Sequence, residues 1–196
     1  MTSVLSIERI SYADYLLAEE KSLEKHEYIC GEILAMSGGT PEHGALAAAL
    51  IVRISMLLDG RPCRPFTSDV RVRVLETDFA AYPDVSVVCG HLETAPDDPN
   101  AITNPIVLIE VLSDSTEAYD RGAKAAHYRQ IPSLREYVLV SQHEPLVEVY
   151  RRNEHGRWEL YEYRAGDRIE LASLRVNIEV DAVYANPLAE EGKSPI

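Results

Sequence analysis

A chain of 196 residues with 46% hydrophobic and 26% charged side chains can bury a sizeable core as one domain, which excludes a disordered or fibrous polymer. The net charge of −13, from 32 acids against 19 bases, argues against broad electrostatic capture of nucleic acid but leaves room for a local basic track or an acidic site that needs a cation. Cys30, Cys63 and Cys89 are odd in number, far apart and without a CxxC pair, so a disulfide framework or zinc knuckle is not expected and a reducing cytoplasm fits the composition.

The opening MTSVLSIERISYADYLL lacks a basic region followed by a long apolar core, so no signal peptide is expected. Ser11 to Glu20 predicts a short helix, with Ser11 as cap and Asp14 three residues on. HEYICGEILAMSGG predicts two short strands hinged near Cys30-Gly31. The clearest helix follows: Thr40 is its cap, Pro41 its first residue, Glu42 suits its dipole, and Gly60 lies past its end. Leu46, Leu50, Ile54 and Leu57 recur along it at spacings of three and four. Its most apolar stretch, ALAAALIV, is cut by Arg53 and is too short to span a bilayer, so no membrane association is expected.

The period then changes to two. FTSDVRVRV predicts one half-buried strand, with Val70, Val72 and Val74 on one face and Arg71 and Arg73 on the other. YPDVSVVCG predicts a second strand, and HLETAPDDPNAITNP a polar, Pro-rich loop. IVLIEVL is apolar on both faces and predicts a central strand. Thr116 to Gln130 is helical in character and is stopped at Ile131-Pro132. EYVLVS predicts a strand parallel to IVLIEVL, because a helix separates the two. Two alternating segments, PLVEVYRR and RWELYEYR, flank a turn at Asn153–Gly156, and a GDRIELASL stretch follows. The order is αββ-α-βββ-α-β and then β-rich, in one domain over 1–185 with a flexible tail from Asn186.

The residue that breaks this pattern is Glu110, in the middle of an apolar strand. A buried carboxylate costs several kcal/mol, on the order of the effective penalties for buried ions, unless a cation or strong donors meet it. A structural ion pair is one solution. Asp84 offers another: it follows Pro83 at the start of the neighbouring strand, and if the two strands pair, both acids meet on one face. Oxygen-only ligation by two acids points to magnesium or manganese. Lys124 lies four residues after Asp120 and four before Tyr128 on the following helix, which aligns the three on one stripe. A lysine there can orient a metal-bound water and help remove its proton; a solvated pair with Asp120 is the ordinary alternative.

Tyr82-Pro83-Asp84-Val85-Ser86-Val87-Val88-Cys89, Glu110-Val111-Leu112-Ser113 with Ser115-Thr116, Asp120-Arg121 with Lys124 and Tyr128, and Glu136-Tyr137-Val138-Leu139-Val140 together resemble the putative restriction endonuclease family of the PD-(D/E)XK nuclease superfamily. The opening Tyr28-Ile29-Cys30-Gly31-Glu32-Ile33, with Met36 and Pro41-Glu42-His43, is similar too, so the resemblance covers residues 10–185. It implies an α/β fold with an αβββαβ core, a mixed central sheet and a β-rich C-terminal extension. It also implies a metal held by Asp84, Glu110 and the backbone carbonyl of Val111, with Lys124 as the catalytic lysine. The superfamily usually places that lysine two residues after the acid; here Leu112 stands there, and the family's lysine has moved to the next helix.

Glu32, His43 and Tyr128 are second-tier candidates, although His43 is better explained as a first-turn helix residue near the core. Arg71, Arg73, Arg121 and Arg129 are candidates for phosphate contacts, with a solvated face as the alternative. Tyr150, Trp158, Tyr161 and Tyr163 read as sheet packing or a dimer surface rather than a base-stacking platform. The expected function is a magnesium- or manganese-dependent endonuclease acting on DNA as a homodimer. A catalytically silent binding or oligomerisation scaffold, and a phosphodiesterase acting on RNA or nucleotides, stay open.

Overall fold

The computed structural model describes residues 9–36 and 38–185; the expected tail from Asn186 and residues 1–8, in the stretch read for a leader, lie outside them. In chain order the elements are α1 (Tyr12–Glu19), β1 (His26–Ile29), β2 (Glu32–Ala35), α2 (Pro41–Leu57), β3 (Cys63–Thr67), β4 (Arg71–Val74), β5 (Phe79–Ala81), β6 (Val85–Cys89), β7 (Thr94–Ala95), β8 (Asp98–Ile102) and β9 (Val107–Leu112). A helical stretch follows, made of α3 (Glu117–Tyr119), a π-helical turn (Asp120–Lys124) and α4 (Ala125–Tyr128). Then come β10 (Glu136–Ser141), β11 (Leu146–Arg152), β12 (Trp158–Arg164), β13 (Arg168–Leu171), β14 (Val176–Glu179) and α5 (Val180–Val183).

One six-stranded sheet runs β12-β11-β10-β9-β6-β3, and a second runs β2-β1-β5-β4-β8-β7. In the first, β9 and β10 are parallel and the other pairs antiparallel, so α2, β3, β6, β9, the 117–128 helical stretch and β10 form the expected αβββαβ core. The alternation of β9 divides the interior. Val107, Ile109 and Val111 pack with Leu46, Leu50 and Ile54 of α2, each apolar side chain contributing about 1.5–3 kcal/mol by its burial. Leu108 and Leu112 point the other way, against Ala125 and Tyr128 of α4 and against Val72, Val74 and Phe79 of the second sheet. Beyond that sheet, Tyr12 and Tyr15 of α1 cover Tyr28.

The caps work as their residues dictate. Ser11 accepts the Asp14 N–H at 3.1 Å, and Thr40 accepts the His43 N–H at 3.1 Å. The hinge at Cys30-Gly31 is a two-residue hairpin loop in which both residues have positive φ, 48° and 96°. At Gly31 a Cβ would stand 2.6 Å from that of Arg9, so glycine is required there twice over.

Three expectations are corrected. The segment 66–74 is not one strand: Val70 N–H bonds back to Thr67 O at 3.2 Å, and this turn sends β3 and β4 into different sheets. The Pro-rich segment 91–105 is not a loop throughout, since it contains the β7–β8 hairpin, whose second strand pairs in parallel with β4. Cys63 and Cys89, in a chain for which no disulfide framework is expected, are bonded as a disulfide. They are register partners across β3 and β6, a pairing hidden while β3 was not recognised as a strand. No described helix is long and apolar enough to cross a membrane.

Candidate active site

Elements of both sheets and their helices converge where β6 begins beside the middle of β9. The register Val85 to Ile109 sets Asp84 opposite Glu110. Asp84 N–H approaches Glu110 Oε2 at 3.4 Å, and Asp84 Oδ2 accepts the Val111 N–H at 2.8 Å. Glu110 lies between Leu108 and Leu112 on the face covered by the helical stretch and is only 4% exposed. Its Oε1 accepts the Tyr128 hydroxyl at 3.0 Å and lies 3.3 Å from Lys124 Nζ.

Lys124 comes from the π-helical turn, which buries both Asp120 and Lys124. Its ammonium is 2.9 Å from Asp120 Oδ1, 2.9 Å from Glu27 Oε1 and 3.3 Å from Glu110 Oε1. The Asp120 contact has ion-pair distance but not hydrogen-bond geometry. Burial alone would push the Lys124 pKa down, but Glu110, Glu27 and Asp120 outweigh it and hold it well above the ordinary lysine value. Lys124 is therefore a fixed cation.

Glu110 carries the opposite imbalance. Desolvation drives its pKa well above the ordinary glutamate value, and the negative charges of Asp84, Asp120 and Glu27 add to this against the pull of Lys124. One shared ammonium does not supply enough positive charge for this group of acids. Asp84 takes its second partner from α2: His43 Nε2 is 3.2 Å from Asp84 Oδ2. The Asp84 carboxylate at that distance raises the His43 pKa against the effect of burial. His43 and Asp84 thus face one another beside the Val111 peptide.

The donor set suits a hard cation. Among the described residues no three His, Cys, Asp or Glu side chains gather into a metal cage, so an ion here would rest on Asp84, Glu110, the Val111 carbonyl and water. Magnesium binds in that manner, through one or two carboxylates while keeping several waters. The observation that fits such an ion is the meeting of Asp84 and Glu110 on adjacent strands, with one ammonium shared among Glu110, Glu27 and Asp120.

Asp84, Glu110, Lys124, Tyr128 and His43 therefore come together, whereas Glu32 does not. It is exposed on β2, opposite Ile29, and alternation has carried it away from the site. The acid that enters from this hairpin is Glu27 on β1, which the sequence reading passed over. Its signal was a carboxylate in HEYI, on a strand with two buried residues at its centre. The candidate phosphate-binding arginines are engaged elsewhere. Arg71 forks onto Asp98 at 2.9 and 3.1 Å and donates to the Tyr82 hydroxyl at 2.7 Å. Arg73 is buried over the Tyr12 ring and pairs with Asp78, and Arg121 is held by Glu117 and Glu148. Arg129 lies 5.2 Å from the Tyr150 ring. Tyr150 and Trp158 pack on one core and Tyr163 on the other.

Comparison with known proteins gives a consistent picture. The family model Uma2, described as a putative restriction endonuclease, matches residues 12–183. Two Synechocystis proteins are similar. The uncharacterized protein slr1290 is 39% identical over 176 residues, covering 90% of this chain and 92% of the relative. The uncharacterized protein sll1609 is 34% identical over 162 residues, covering 83% and 92%. The fold is shared with the crystal structure of a putative nuclease belonging to DUF820 from Anabaena variabilis. That match has a TM-score of 0.70 at 19% identity, over 87% of this chain and 96% of that one.

Proposed function

We propose, for a chain that belongs to the Uma2 family of putative restriction endonucleases, that it is a metal-dependent endonuclease that hydrolyses phosphodiester bonds in DNA. The observation that carries this reading is the meeting of Asp84 and Glu110 on adjacent strands, with the Lys124 ammonium 3.3 Å from Glu110. Asp84, Glu110 and the Val111 carbonyl would hold magnesium or manganese. Such an ion, when bound, polarises a phosphoryl oxygen and makes water a better nucleophile at neutral pH.

The chain's own residues supply position and charge. Tyr128 fixes Oε1 of Glu110, and the Val111 N–H and His43 hold Oδ2 of Asp84; the ion would take the second oxygen of Asp84 and Glu110 Oε2, which the Asp84 N–H meets only at 3.4 Å. Three carboxylates hold the Lys124 ammonium beside the pair of acids, so its role is to orient water and steady the charge that develops on the phosphate. A homodimer would bring two such sites to the two strands of a duplex, which size-exclusion chromatography with light scattering would check.

The test is cleavage of plasmid and linear DNA with magnesium or manganese by the native chain, Glu110→Gln and Lys124→Ala. The expected result is metal-dependent cleavage, abolished by chelation and reduced about a hundredfold or more in each variant. Equal nicking by all three would identify a contaminant and defeat the proposal. One observation favours a second reading: Arg71, Arg73 and Arg121 are occupied by internal acids, so a duplex track must come from elsewhere on a surface of net charge −13. Cleavage of short oligonucleotides or RNA without cleavage of duplexes would favour a phosphodiesterase of smaller substrates.

A further inference from the structure

Glu27 lies on β1, in the second sheet, yet it ends in the site built on the first. Its neighbour Tyr28 points outward to Tyr12 and Tyr15, so alternation turns Glu27 between the two sheets, where it is 5% exposed. A carboxylate in that position needs partners, and it has two. Lys124 Nζ lies 2.9 Å from Oε1, and the Tyr119 hydroxyl donates to Oε2 at 2.7 Å. Tyr119 immediately precedes the π-helical turn, so the same short segment supplies both the cation and the group that aims its counterion.

The distances around Lys124 divide its charge unevenly. Its two shorter contacts, both 2.9 Å, go to Glu27 and Asp120, and the longer, 3.3 Å, goes to Glu110. Glu110 is the acid beside Asp84; Glu27 and Asp120 are the lysine's other two counterions. We infer that Glu27 is a positioning residue: aimed by Tyr119, it draws the Lys124 ammonium away from Glu110 and leaves that carboxylate free for the metal. This rests on the metal site proposed above. Without Glu27 the ammonium would close onto Glu110 and compete with the ion for it.

The test is manganese binding by calorimetry on the full chain, without substrate, for the native protein, Glu27→Gln, Tyr119→Phe, Lys124→Met and the Glu27→Gln/Lys124→Met pair. Glu27→Gln is expected to weaken manganese about 10- to 100-fold, the range seen when partners of metal ligands are removed. Tyr119→Phe should weaken it less but in the same direction, and it carries the test if Glu27→Gln does not fold. With Lys124 already replaced, Glu27→Gln should weaken binding no further, because its effect passes through the lysine. A full additional loss in that background would make Glu27 a ligand itself and overturn the inference. Native affinity in both Glu27→Gln and Tyr119→Phe would overturn it while leaving the metal site standing. No manganese binding by the native chain would overturn both.

Discussion

The backbone N–H of Val111 donates to Asp84 Oδ2 at 2.8 Å, which ties the acid at the start of β6 to the peptide that follows Glu110 on β9. The two acids are thus fixed relative to each other by the sheet's own backbone. Asp84→Asn keeps an oxygen able to accept that N–H, so it should unfold within about 1 kcal/mol of the native chain while losing metal-dependent activity. Asp84→Ala leaves the N–H without its acceptor and should cost a further 1–3 kcal/mol or so. Urea unfolding of the two variants separates the structural role from the chemical one.

Lys124 neutralises acids that would otherwise be buried without a partner. Lys124→Met should therefore destabilise by about 3–5 kcal/mol, the usual cost of removing one side of a buried ion pair. Adding Glu27→Gln should restore part of that loss, because one uncompensated carboxylate disappears with it. Denaturant midpoints of the single and double variants would show this; a single variant as stable as the native chain would contradict a charged cluster.

Asp98 gives a prediction in pH. Burial pushes its pKa up, but the hydrogen bonds from Arg71 and Tyr12 outweigh this and hold the carboxyl below its ordinary value of 3.8. A depressed folded-state pKa means that the pair's stabilisation is full above the unfolded value and is lost as pH falls through the folded one. Asp98→Asn should thus cost about 3–5 kcal/mol at pH 7, and the gap to the native chain should shrink below about pH 4. Urea unfolding at pH 7 and pH 3 tests the sign.

The Cys63–Cys89 bond closes a sequence separation of 26 residues. Chain-entropy arguments give such a loop about 3–4 kcal/mol of stabilisation. Cys63→Ala/Cys89→Ala, or the native chain under strong reductant, should lose that amount. Since the bond joins the opposite end of β6 from Asp84, metal affinity should be retained.

What the sequence displayed was whatever local chemistry governs. Thr40, Pro41 and the spaced leucines made α2 legible, and the apolar run around Glu110 exposed both a central strand and the anomaly within it. What it concealed depended on distant partners. β8 reads as polar loop because Asp98, Pro99 and Asn100 fill it, and its place in the sheet depends on β4 and on Arg71. β3 contains Arg64 and Pro65, poor strand signals that an edge position tolerates. Arg71 and Arg73 had the alternation of a solvated face, but the second sheet and α1 enclose them. Glu27 was overlooked for Glu32 because nothing nearby distinguishes the two; the lysine that does so is almost a hundred residues further along.

The wide turn from Asp120 to Lys124 sets the angular phase of everything after it. Each residue of a regular helix advances the side-chain direction by about 100°. At that step Asp120 and Lys124, four residues apart, stay within about 40° of each other, so both turn inward together. Losing one residue between them, such as Gly122, whose own surroundings are open, would leave the pair three residues apart and about 60° out of line, so the count of residues in this turn is what keeps the lysine over its acids.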